Sequence, residues 1–175
     1  MKKSKIPIEE KIGDFRNKVG IILTESLYVE TSLEFFISNY FVKPQTQKTF
    51  FLNDTIILRL NFDKKIDLFR EICKREGYDM KDVEKVIKAI KFVQETRNKV
   101  AHWQTEIISE EAINDTVQLR KRTSYTTRND ILKLDDTLME KLIKKSYEAT
   151  RGINKYQQKY WLEGTKEERG VVDFL

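Results

Sequence analysis

The 175-residue sequence predicts an all-α protein, a helical bundle of about four main helices with a small β-like insert. Three observations carry that reading. Only two prolines and six glycines occur in the chain, which leaves room for long uninterrupted helices. Apolar residues recur at helical spacing over most of its length. Charged residues make up 35% of the total, enough to clothe the outer faces of such helices.

The first helix is expected from Ile8 to about Phe41. Pro7 suits a first helical turn, and Ile12, Phe15, Val19, Ile22, Leu23, Leu27, Val29, Leu33, Phe36, Ile37 and Tyr40 follow at helical intervals. Gly13 and Gly20 are where it could bend. Pro44 opens a connection through "KPQTQKTFFLND". A second helix is signalled by Phe62, Ile66, Phe69, Ile72 and Cys73, with Asn61 or Asp63 as N-cap and Gly77 as its stop. Asp79 can cap a third, from Met80 to about Ala101. Between Trp103 and Leu134 the pattern changes. Ser109 can cap a short helix at "EEAIND", and "TVQLRKRTSYTTRNDILKL" is rich in β-branched residues without helical period, so a small hairpin is expected there. Asp135 or Asp136 caps a last helix to about Trp161, leaving "EGTKEERGVVDFL" as a tail. With no internal repeat and this length, residues 1–175 are read as one domain.

Composition narrows the function classes. One cysteine, Cys73, can build neither an intrachain disulfide nor a cysteine-rich zinc site. No apolar run approaches the roughly 18 to 20 residues that span a bilayer, and the basic start lacks a secretory apolar stretch. The expectation is a cytoplasmic protein without a membrane partner. Thirty-three Lys and Arg against 28 Asp and Glu leave a charge of +5, compatible with a polyanionic partner but equally with solvated helices.

The segment "VQETRNKVAHW" stands out because it holds the single histidine, His102. With Val83 at zero and about 100° per residue, Arg97 falls at about −40°, on the same stripe as Ile90 and Val93. Asn98 and His102 flank it one turn apart. A cation on an apolar stripe needs a partner or a cleft, because burying it unpaired costs several kcal/mol. Glu30 or Glu34 on the first helix could supply a buried ion pair, with His102 merely ending the helix. In the other reading, the three side chains form a site.

"RNKVAH" resembles the signature of the HEPN superfamily of all-helical domains: an arginine, a polar residue directly after it, and a histidine four to six positions beyond. Here Asn98 and His102 are four apart, at the end of a helix. "VETSLEFFISNYF" is similar to the family's acidic-apolar first helix, and "LNFDKKIDLF" to the start of a second helix in some members, extending the resemblance over about residues 20–103. The resemblance implies a metal-independent endoribonuclease in which a ribose 2′-hydroxyl attacks the neighbouring phosphate. It also implies a homodimer with a composite cleft and no cofactor, in a toxin or defence setting.

The residue types suit that reaction. His102 can transfer protons near neutral pH, Arg97 can bind phosphate through two N–H groups, and Asn98 can donate to phosphate or orient the imidazole. One histidine cannot easily serve as acid and base together, whereas a twofold axis supplies two copies. A carboxylate-only site would be the sole route to metal catalysis. Arg120, Lys121, Arg122 and Arg128 could guide RNA through its phosphates and Tyr125 could stack on a base. The same segment could instead be a hairpin edge protected by charge. Tyr156, Tyr160 and Trp161 are read as helix packing. Some HEPN toxins are held by an antitoxin that modifies a tyrosine two residues after the histidine; Gln104 stands there, so control by that modification is not implied, while a protein inhibitor or antitoxin of another kind stays among the partners the resemblance implies. The alternative function is a noncatalytic HEPN-like module that binds nucleic acid or protein.

Overall fold

The computed structural model describes residues 8–42, 47–102, 104–106, 118–120 and 131–163. Five α-helices dominate it: α1 (Ile8–Phe41), α2 (Gln47–Thr55), α3 (Phe62–Arg75), α4 (Met80–His102) and α5 (Asp136–Glu163). A 3₁₀ turn at Ile57–Arg59 joins α2 to α3. Three short strands, β1 (Gln104–Glu106), β2 (Gln118–Arg120) and β3 (Ile131–Lys133), pair antiparallel in the order β1-β2-β3.

The helix boundaries have local causes. Asn61 accepts the Lys64 amide at 2.9 Å and so caps α3, while Asp63 instead accepts from Gln94 on α4 at 3.0 Å. Asp79 accepts the Lys81 amide and Asp135 the Leu138 amide, at 2.9 and 2.8 Å, starting α4 and α5. Gly77 has φ 71°, which a residue without Cβ adopts freely where α3 turns into α4. The connection expected after Pro44 contains α2. Its Phe50 and Phe51 lie side by side in solvent and only Thr49 is buried, so no apolar stripe announces it. Ser109, the segment "EEAIND", Pro7 and the tail beyond 163 lie outside the described residues, as does most of the expected hairpin.

Cross-helix contacts set the directions. Phe36 packs edge-on against Phe69 at 5.0 Å, and Tyr40 donates to Glu76 at 3.2 Å, so α1 and α3 run the same way. Arg70 with Glu84, and Gln94 with Asp63, make α3 and α4 antiparallel. Lys18 meets Asp136 at 2.9 Å and Ser146 reaches the Glu25 carbonyl at 3.5 Å, which sets α5 along α1. The core lies between them, with Ile22, Val29, Leu33, Phe36, Phe69, Ile87, Ile90, Leu142 and Ile153 essentially inaccessible. Each such side chain contributes about 1.5–3 kcal/mol of burial. The start of α1, the end of α4, the start of α5 and the sheet thus share one end of the bundle. No described helix is long and apolar enough to cross a membrane.

Candidate functional site

α4 carries its inward face through Val83, Ile87, Ile90, Val93 and Gln94, and burial stops at Thr96. The helix then continues to His102. Gln94 bonds Asp63 in the first turn of α3, so α3 begins level with Gln94 and the last eight residues of α4 run on for about 12 Å without it. Arg97 follows the buried Ile90 by seven residues and keeps its azimuth, yet it is exposed.

The same geometry strips α1. Lys65, in the first turns of α3, contacts Glu30 and Glu34. Leu23 and Leu27 precede those two acids by seven residues on the same face and, contrary to their expected place on the buried stripe, are 44% and 62% exposed. α3 therefore leaves a notch beyond its own start, with apolar α1 side chains on one side and the end of α4 on the other, which no described helix fills.

Within the motif, Arg97 Nη1 donates to Asn98 Oδ1 at 3.1 Å. The bond leaves the remaining guanidinium N–H groups and the Asn98 amide N–H groups available as donors. Asn98 is half-buried; His102 is exposed at the helix end, one turn from Asn98. Arg97 makes no ion pair among the described residues.

That corrects the expectation that Arg97 pairs with Glu30 or Glu34. Both carboxylates are taken by Lys65, whose Nζ lies 2.6 Å from Glu30 Oε1 and 2.6 Å from Glu34 Oε1. The Lys65 side chain is 2% exposed. Burial alone would lower its pKa, but hydrogen bonds to the two acids outweigh it and hold the ammonium above its ordinary 10.5. Sequence reasoning passed over Lys65 although a signal was present: it sits between Phe62 and Phe69 on the apolar stripe of α3 and faces an i, i+4 acidic pair.

Arg120 lies in β2, next to the buried Leu119. Lys121, Arg122, Tyr125 and Arg128 lie outside the described residues. Cys73 is buried, and burial, reinforced by Glu76, pushes its thiol up to about 12, which keeps it protonated and unreactive. Tyr156 is likewise pushed up to about 12 by burial and packs against Phe69 and Tyr78. No three His, Cys, Asp or Glu side chains among the described residues form a metal-binding group. Comparison of the chain with family models, with curated proteins and with solved structures returns no match.

Proposed function

We propose that the protein is a HEPN-like, metal-independent endoribonuclease that cleaves single-stranded RNA by 2′-hydroxyl attack, at a composite site between two copies of the chain. One observation carries the reading: Arg97, on the inward azimuth of α4, is exposed beside Asn98 and His102 where α3 has not yet begun. A cation there costs little while solvated, and Leu23 and Leu27 supply apolar surface for a second copy to cover.

In this scheme Arg97 holds the scissile phosphate and balances charge as the pentacoordinate transition state develops. Asn98 fixes the guanidinium and offers its amide N–H to a phosphate oxygen. One copy of His102 takes the 2′ proton and the other protonates the departing 5′-oxygen. The products are a 2′,3′-cyclic phosphate and a 5′-hydroxyl, a reaction suited to a toxin or defence nuclease.

The test is an oligoribonucleotide carrying a single 2′-deoxyribose at the mapped cleavage position. The proposal expects cleavage there to stop while neighbouring positions remain sensitive. Cleavage continuing at the substituted position would reject 2′-hydroxyl attack.

A further inference from the structure

The outward face of α5 carries a stripe that the proposed site does not use. Lys144, Tyr147, Arg151, Asn154, Lys155 and Gln158 follow one another at helical intervals over about 21 Å. All are exposed. Between Lys144 and Gln158 the sole carboxylate on the helix is Glu148, and Lys145 holds it at 2.6 Å. Lys144, Arg151 and Lys155 make no ion pair among the described residues. Glu148 stands one turn from both Lys144 and Arg151 and also lines the groove; off the helix, Asp82 on α4 acts on Lys155 but is itself bonded to Lys85 at 2.8 Å. Tyr147 is 62% exposed, and the Arg151 guanidinium sits 6.0 Å from its ring centroid. Five of the six side chains border an open groove of about 710 Å³.

We propose that this face of α5 binds a stretch of single-stranded RNA outside the cleavage site, with Lys144, Arg151 and Lys155 on phosphates and Tyr147 stacked on a base. A row of cations outside any ion pair fits any polyanion. The exposed ring braced by a guanidinium, and the amides of Asn154 and Gln158, single out a polyanion that also presents flat bases. The direction of α5 links this surface to the other end of the molecule. Lys141 lies over Phe92 at 4.9 Å while Gly152 faces Val86, so the stripe starts toward the Arg97–His102 end and leads away from it. A strand longer than the cut dinucleotide can engage both. The inference rests on RNA being the substrate but not on the cleavage chemistry.

The test measures fluorescence anisotropy of a labelled single-stranded oligouridylate over a salt series, in a His102→Ala background so that the probe stays intact. Neutralising Lys144, Arg151 and Lys155 to Gln together should weaken binding and lower the log-log salt slope by about 0.7 for each lost phosphate contact. Tyr147→Leu should weaken binding roughly 5- to 150-fold with the slope unchanged, as loss of one stacked base requires. All four side chains are exposed, so thermal melting should stay at the parental value. Unchanged affinity and slope in the triple variant would overturn the assignment, as would poly-glutamate binding as tightly as RNA with no response to Tyr147→Leu. Cleavage measured in parallel without the His102 substitution separates the two ideas. Intact cleavage chemistry with an inert α5 face refutes this inference alone, and α5-dependent binding without cleavage refutes the nuclease alone.

Discussion

A lysine ammonium inside a helical bundle has lost most of its water, and Lys65 replaces it with two carboxylates on adjacent turns of α1. Removing the cation while leaving Glu30 and Glu34 in place strands negative charge in a poorly solvated site. Lys65→Met should therefore destabilise the fold by about 3–5 kcal/mol, measured by urea unfolding, and the triple change to Met with Glu30→Gln and Glu34→Gln should recover much of it. The pH dependence has a definite sign. The folded-state pKa of Lys65 is raised above its ordinary 10.5, so its stabilisation is complete below that value and fades as pH rises through the folded pKa. Alkaline unfolding that sets in no later in the Met variant than in its parent at matched stability would contradict this, because the variant lacks the group whose deprotonation removes the stabilisation. The residue scale is also where reading the chain alone was weakest. A helical wheel locates Arg97 on the inward stripe correctly, but it cannot say that the covering helix starts too late, because that depends on how α3 registers against α4. Lys65 was missed for the converse reason: a long side chain on a short apolar stripe reads as a solvated residue until its two acids are brought across.

Among the elements, α4 and α5 pack closely at Gly152. A Cβ there would overlap Val86 Cγ2 and lie 2.9 Å from its Cγ1 and 3.2 Å from its Cβ, closer than side chains pack. Gly to Ala in a helix normally adds about 1 kcal/mol. Here overpacking of about 1–3 kcal/mol should outweigh it, so Gly152→Ala should lower the thermal midpoint and Val86→Ala added to it should raise the midpoint again. Independent effects of the two substitutions would count against the contact. The long helices could be read from the chain because their apolar spacing and caps at Asn61, Asp79 and Asp135 agree on the same boundaries. α2 could not, since nine residues with adjacent exposed phenylalanines show no periodic face. The strands are three residues each, too short for alternation to register, though their β-branched surroundings mark the right part of the chain.

At the scale of the molecule, α1 and α4 both outrun α3 at one end, and the notch they leave is where a second copy is proposed to dock. Leu23 and Leu27 are exposed in the single chain, so replacing them should spare the fold and act on association. Leu27→Glu with Leu23→Glu should give a chain of parental melting temperature that sediments as a monomer at micromolar concentration and has lost RNA cleavage. A parental protein already monomeric with RNA present would remove the composite site. The central claim is that Arg97 and His102 perform the chemistry, and it is tested most directly by incubating purified protein with single-stranded RNA in EDTA and comparing initial rates. His102 is exposed at a helix end, so His102→Ala should leave unfolding unchanged while slowing cleavage by roughly 10²- to 10⁴-fold, the usual worth of a proton-transfer group. Arg97→Ala, also at an exposed position, should be as inactive and as well folded. Wild-type products ending in 2′,3′-cyclic phosphate, absent from both variants, are the expected result. Cleavage that persists in His102→Ala with the same ends, or that appears only on adding a divalent metal, would contradict the account and leave the chain as a helical module that binds its partner without cutting it.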